Sequence, residues 1–221
     1  MIIHNVEQGS DEWHTLRRST LTASEVKLII TEKTLKPANN DKTRSHVYEI
    51  AAQRITHYTE PQYIGDDMLR GMEDEIYALE IYADKYSPTT EAGFITSDKL
   101  GFVMGYSPDA LVGEDGLIEI KSRCQKYQFE TIASDEVPSE FMLQIQTGLL
   151  VSGRDWCDFI SYCAGMPMFV KRVEPIAEYQ EAISAASQQF EEKVLEVIDV
   201  YKTNASKYHD TERRDTEFDI L

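Results

Sequence analysis

Apolar and polar positions follow two different rhythms along this 221-residue chain. Thr43 to His57 and Asp66 to Tyr86 read as long helices, the second stopped by Pro88, which cannot continue one. Two shorter helices are expected ahead of them. One runs from Asp11 to Arg18. The other runs from Thr22 to Ile30, with Thr22 as N-cap and Glu25 three residues on, the spacing of a capping box. A loop holding Pro37 and the run Asn39-Asn40-Asp41 follows. Beyond Pro88 the pattern turns strand-like at about Glu91 to Thr96, Phe102 to Gly105, Ala110 to Val112 and Leu117 to Ser122, punctuated by Gly101, Gly113 and Gly116. Pro138 opens a helix that ends at Gly153. "DWCDFISYCA" and "MFVKRVE" then form an expected hairpin around "GMP", and a helix from Ile176 to Tyr201 closes the pattern. The polar tail from Thr203 is expected to be loose. Helices before and after a central mixed sheet define an α/β or α+β fold with helices flanking the sheet, and no linker-like segment divides residues 1–221, so a single domain is expected.

Composition narrows the class. The amino-terminal "MIIHNVEQGSDEWH" has no cationic region followed by an apolar core, and no apolar run approaches the ~20 residues that span a bilayer, so a cytoplasmic protein without a membrane partner is expected. Cys124, Cys157 and Cys163 are odd in number and lack CxxC spacing, which fits three small buried residues better than a disulfide framework or a cysteine metal cluster. The formal charge of −17 taken alone argues against a polyanionic partner. Charge is uneven, however. Between Val26 and His46, five cations (Lys27, Lys33, Lys36, Lys42, Arg44) oppose Glu32 and Asp41, a local excess of three that suits a solvated loop and a DNA contact equally.

One stretch departs from ordinary strand chemistry. In Leu117-Ile118-Glu119-Ile120-Lys121 the side chains alternate, so Ile118 and Ile120 share the core face and Leu117, Glu119 and Lys121 the other. The "GEDG" turn before it folds the preceding segment back and sets Asp109 opposite residue 119 or 120. A lone Asp and Glu on neighbouring strands are commonly a surface pair, but here two carboxylates and a lysine converge. Gathered like charges call for a cation, and two or three oxygen ligands with open positions suit Mg²⁺ or Mn²⁺. On the 66–85 helix, Met68, Met72, Ile76, Leu79, Tyr82 and Ala83 span the apolar arc, while Glu73, Asp74, Glu80 and Asp84 face away; Glu75 alone among the acids falls inside the arc, where it needs a salt-bridge partner or a metal. Gln144 points inward from the apolar helix "FMLQIQTGLLVS", either to orient a water or the lysine or to tie down a loop.

Pro108-Asp109-x9-Glu119-x-Lys121 matches the PD-(D/E)XK nuclease motif, and the wider pattern resembles the viral-recombinase alkaline exonucleases, the family of phage lambda exonuclease. The likeness extends over most of the chain, through "EQGSDEWHTLR", "LTASEV", Gly71-x3-Glu75-x2-Ala78, "SPDAL", "LIEIKS" and "FMLQIQ". It implies a restriction-endonuclease-like core in which Asp109, Glu119 and the main-chain carbonyl of Ile120 hold Mg²⁺, with two ions per site and Glu75 acting through the metals or their waters. It further implies that Lys121 activates or positions the attacking water, that Gln144 assists, and that Arg17, Ser24 and Ser107 bind a 5′-phosphate. The activity implied is 5′→3′ digestion of one strand of linear duplex DNA by a ring-shaped homotrimer, in the cytoplasm of a bacterial host if phage or prophage encoded. The resulting 3′ tails would pass to a single-strand annealing protein. "KSRCQKY" departs from the family's proline-containing segment, and the loop Thr31 to Arg44 also differs. The alternatives are another nuclease of the same motif, cutting internally or with other polarity, and a catalytically silent DNA-end-binding module; members that carry an iron–sulfur cluster are disfavoured, since no four-cysteine set exists.

Overall fold

A computed structural model describes residues 1–61 and 65–213. Its elements are β1 (Ile2–His4), α1 (Asp11–Arg17), β2 (Leu21–Thr22), β3 (Ile30–Thr31), β4 (Lys36–Pro37), α2 (Asp41–Thr56), α3 (Asp66–Lys85), β5 (Phe94–Ser97), β6 (Met104–Tyr106), β7 (Ala110–Val112), β8 (Gly116–Ser122), α4 (Gln125–Ser134), α5 (Ser139–Ser152), β9 (Trp156–Tyr162), β10 (Phe169–Val173) and α6 (Ala177–Ala205). The central sheet has the order β10-β9-β8-β7 and is mixed: β8 and β9 run parallel, and both edge pairs are antiparallel. A second sheet, β1-β5-β6-β2, lies beside it, and β3 with β4 forms a small ribbon.

Both faces of β8 are covered. Leu117 joins the larger core with Leu21, Ile95, Tyr106, Leu143 and Phe159, packed under α2, α5 and α6. Ile118 and Ile120 join Ala78, Tyr82, Ala110 and Ile160 in a smaller core beneath α3. The face carrying Glu119 and Lys121, expected to stand opposite the core, is itself packed against the larger core. Glu119 is 1% exposed.

Several expected elements differ, each for a local reason. Thr22 to Ile30 is not a helix. Leu21 and Thr22 pair in parallel with Met104 and Gly105, Ala23 N–H donates to Gly105, and only a single 3₁₀ turn forms at Val26–Leu28. Glu25 does reach back to Thr22 N–H at 2.9 Å, but the Thr22 hydroxyl donates to that same carboxylate at 2.7 Å rather than capping a helix. Helix α2 starts at Asp41, two residues ahead of the expected Thr43, with Asn40 as its N-cap. On α3 the buried residues are Ala78 and Tyr82, with Asp74 turned toward Ser122; Met68, Met72 and Ile76 are exposed, so the packed face is rotated from the apolar arc. Ala78 and Tyr82 pack against the β8 isoleucines, and the Tyr82 hydroxyl donates to Asp158. The strand β1, the ribbon β3–β4 at the expected loop, and helix α4 carry no clear signal in the sequence. The final helix continues to Ala205, past the position where a loose tail was expected to begin. Cys157 and Cys163 are buried, but Cys124, at the start of α4, is exposed.

Candidate active site

The turn between β7 and β8 does what its composition implies. Ala110 pairs with Ile118 and Val112 with Gly116, Asp109 N–H donates to the Ile118 carbonyl at 3.1 Å, and the Asp109 carboxylate accepts the Ile120 N–H. Asp109 thus lies level with Glu119. The Glu119 carboxylate is held from three directions: the Tyr106 hydroxyl of β6 donates to it at 2.8 Å, the Lys121 ammonium sits 2.6 Å away, and the Gln144 amide of α5 donates to the same oxygen as Lys121. Gln144 therefore points inward, and its partner is the carboxylate itself.

Electrostatics define the cluster more sharply than contacts alone. Burial, then the charges of Glu119 and Glu75, push the Asp109 carboxyl well above its ordinary range. Burial and Glu119 raise Glu75 in the same direction. Burial by itself would lower Lys121, but Glu119, Asp109 and Glu75 more than offset it and hold the ammonium above its usual value. Three carboxyl groups outnumber the one cation in a poorly solvated space, so ionising all of them is unfavourable until a divalent cation offsets the charge. Among the described residues no three His, Cys, Asp or Glu side chains are preset around one point. Asp109 and Glu119 supply two hard oxygen donors on adjacent strands, and Glu75, close enough to act on both Asp109 and Lys121, supplies negative charge from α3. This donor set fits Mg²⁺ or Mn²⁺ and offers no soft ligands.

A second group lies two residues along the chain from Asp109. Ser10 caps α1, which presents Trp13 and Arg17. The Trp13 indole N–H donates to the Gly93 carbonyl at 3.2 Å and to the Ser107 hydroxyl at 3.0 Å, while Arg17 donates to the same hydroxyl at 3.2 Å. The Arg17 guanidinium stacks 4.3 Å above the Trp13 ring. Arg17 and Ser107 are thus brought together. Burial lowers the Arg17 pKa and the Glu25 charge partly restores it. Ser24 lies in the turn after β2 instead of in a helix; its hydroxyl is 3.3 Å from that of Thr22, the residue that holds Glu25. No described contact joins it to Arg17 or Ser107, and the link between them runs through the charge of Glu25 on Arg17. Gln8 ties the approach together, donating to the carbonyls of Ala92 at 3.1 Å and Pro108 at 2.8 Å.

Tyr106, Trp13, Glu25 and Gln8 are the parts of this arrangement that the sequence reading missed. For Tyr106 the signal is its place in "GYSPDA": a tyrosine entering a core needs a partner for its hydroxyl. The other three act through contacts across at least 80 positions or through a turn misread as a helix.

A mixed sheet with Asp, Glu and Lys converging from two adjacent strands, and a glutamate arriving from a covering helix, is the core of a PD-(D/E)XK-type nuclease fold. The chain belongs to the YqaJ-like viral recombinase domain family, which matches residues 12–155. It is similar to an alkaline exonuclease (LHK-Exo) from Laribacter hongkongensis, at 31% identity and TM-score 0.79 over 90% of this chain and 99% of that one. The same exonuclease in complex with dAMP gives 30% identity and TM-score 0.78 over the same shares. A phage related exonuclease from Haemophilus somnus 129PT, at 13% identity and TM-score 0.59 over 84% of this chain and 97% of that one, shares the fold. Comparison with curated protein sequences finds no match.

Proposed function

We propose that this chain is a divalent-metal-dependent 5′→3′ exodeoxyribonuclease that degrades one strand of linear duplex DNA from 5′-phosphorylated ends. The observation that carries this reading is the two-residue separation between Ser107, which Arg17 and Trp13 hold, and Asp109, which faces Glu119. An anion site at that distance from an acidic cluster gives a terminal phosphate and a scissile phosphate fixed stations on one strand.

In this reading Asp109, Glu119 and the Ile120 carbonyl would hold Mg²⁺ or Mn²⁺, with Glu75 adding negative charge from α3, and the cations would supply Lewis-acid charge to the scissile phosphate. Lys121, held as an ammonium 2.6 Å from Glu119, positions the attacking water by donating to its oxygen. Gln144 and Tyr106 each occupy one oxygen of Glu119, which fixes the plane of that carboxylate. Arg17 offers a planar fork to the terminal phosphate and Ser107 a hydroxyl, with Ser24 completing the pocket. Water attack breaks the bond between phosphorus and the 3′ oxygen, releasing a 5′-mononucleotide and leaving a new 5′-phosphate for the same pocket. The mononucleotide dAMP bound by the Laribacter hongkongensis exonuclease is a molecule of this product class. Assembly as a homotrimeric ring reconciles the charge of −17 with DNA binding, by turning acidic walls outward and gathering basic side chains around a bore. The 3′ tails produced suit a single-strand annealing protein as recipient.

Digestion of duplex carrying a 5′-phosphate or a 5′-hydroxyl, with label on either end, tests the proposal. Mg²⁺-dependent loss of the 5′-terminal nucleotides, faster on phosphorylated ends, is expected. Equal rates on the two ends, release from the 3′ end, or internal cuts on circular DNA would overturn it.

A further inference from the structure

Helix α3 delivers Glu75, yet its large apolar side chains do little to hold it down. Met68, Leu69, Met72, Ile76 and Tyr77 are 50–59% exposed, and the residues it buries fully are Ala78 and Tyr82. With so little side-chain volume interlocked, polar contacts have an unusual share in fixing the helix's rotation. The strongest of these involves groups that the proposed reaction does not use. Tyr82 lies seven residues beyond Glu75, about two helical turns, and so on the same face. Its hydroxyl donates to Asp158 at 2.6 Å. Asp158, on β9, is 4% exposed. Arg172 of β10 forks onto it at 2.8 and 2.9 Å, and the guanidinium stacks 3.5 Å from the Trp156 ring centre. Trp156 in turn lies across Gly116, where a Cβ would meet the ring at 2.2 Å. Burial and the hydrogen bond to Asp158 raise the Tyr82 phenol, so it remains a donor at any working pH. Asp158 pairs with Ile118 in the parallel register, and its side chain joins the α3 face of the sheet, opposite to the face that carries Glu119.

We propose that Tyr82 and Asp158 are positioning residues for Glu75. The hydrogen bond between them, braced by Arg172, sets the rotation of α3 so that the Glu75 carboxylate reaches the Asp109–Glu119 cluster. A buried carboxylate held by an arginine is weak evidence for stability, because desolvation offsets much of the attraction, but it fixes geometry with a directional bond. The Asp74 contact with Ser122, at 2.5 Å, pins the helix one residue before Glu75, and Tyr82 prevents the rest of it from swivelling about that point. This inference rests on the reading of Glu75 as part of the cation-holding cluster.

A double-mutant cycle tests it on the full chain, with calorimetric binding of Mn²⁺ to the DNA-free protein as one readout and Mg²⁺-dependent digestion as the other. Tyr82→Phe keeps the ring and removes one donor. It is expected to preserve the fold by circular dichroism, to weaken Mn²⁺ binding by about tenfold, and to lower kcat at limiting Mg²⁺ with little change in KM for DNA. In a Glu75→Gln background the same change is expected to cost nothing further. A Tyr82→Phe loss that persists undiminished in that background, or no loss at all, overturns the clamp alone. A Glu75→Gln variant that binds and cuts like the parent overturns the role of Glu75 and the clamp with it. Should Tyr82→Phe fail to fold, Arg172→Lys at a half-exposed position loosens the same carboxylate, with the same expected dependence on Glu75.

Discussion

Asp109 bears a cost that the metal-free fold does not recover. Held above its ordinary range by burial and by Glu119 and Glu75, it retains a proton that the unfolded chain would release. The folded state is therefore favoured at low pH, and that advantage is lost as pH rises from the ordinary carboxyl range through the elevated folded value. Asp109→Asn keeps an acceptor for the Ile120 N–H and discards the charge. It is expected to raise the metal-free Tm at pH 8, by about 2–4 °C for each kcal/mol recovered, with the gain shrinking toward pH 5. Mg²⁺ should stabilise the parent and not the variant, and the variant should be inactive; thermal melts with and without Mg²⁺ read all of this. Lys121→Ala should behave differently, losing about 10²–10⁴-fold in turnover while Mn²⁺ binds as well or better, since a competing positive charge has gone. A loss of cation affinity equal to that of Asp109→Ala would contradict this. At this scale the strand alternation and the turn made the convergence of Asp109, Glu119 and Lys121 legible, whereas Glu75 was singled out by an apolar arc that is not the packed face of α3. Arg17 and Ser107 were legible only through resemblance, because neither carries a local pattern, and Tyr106 was hidden because its partner lies across the fold.

Helix α5 shows how an element can serve a site through what it omits. Gln144 and Gly148 lie four residues apart and so share a face. The first donates to Glu119, and a Cβ at the second would stand 2.7 Å from the ring of Tyr106, which donates to the other Glu119 oxygen. A glycine mid-helix ordinarily costs about 1 kcal/mol against alanine, and here its absence of bulk is what admits the tyrosine. Gly148→Ala is expected to destabilise by about 1–3 kcal/mol through overpacking and to depress activity beyond that loss by displacing the Tyr106 hydroxyl. Denaturant unfolding measures the first effect and digestion assays below the melting range the second; a variant more stable than the parent and fully active would refute both. The main helices and the strands from β7 onward followed the chain's own periodicity. What did not follow it was decided at a distance. Thr22 to Ile30 carries capping chemistry, but its first residue pairs with β6, and α3 packs through Ala78 and Tyr82, the latter bonded to Asp158, in preference to its methionines.

For the molecule as a whole, charge and assembly are one question. A protomer carrying −17 repels a duplex at long range, so productive binding has to gather its cations into a shielded channel. Light scattering is expected to give three times the protomer mass, and digestion of long duplex should slow steeply with added salt; a stable monomer that digests processively would contradict the ring. Neither property could be read from periodicity, which reports how one chain packs on itself. The buried thiol of Cys157 offers a way to watch the molecule from inside. It lies on β9 beside Leu117 of β8, fully shielded, and burial with the Glu119 and Asp109 charges pushes its pKa well above the usual thiol range. A thiol reagent can reach it only when the core packed on this face of the sheet opens. Its labelling rate, set against that of exposed Cys124, is therefore a clock for breathing of the catalytic sheet, and a cation seated at Asp109 and Glu119 should make that clock run slow.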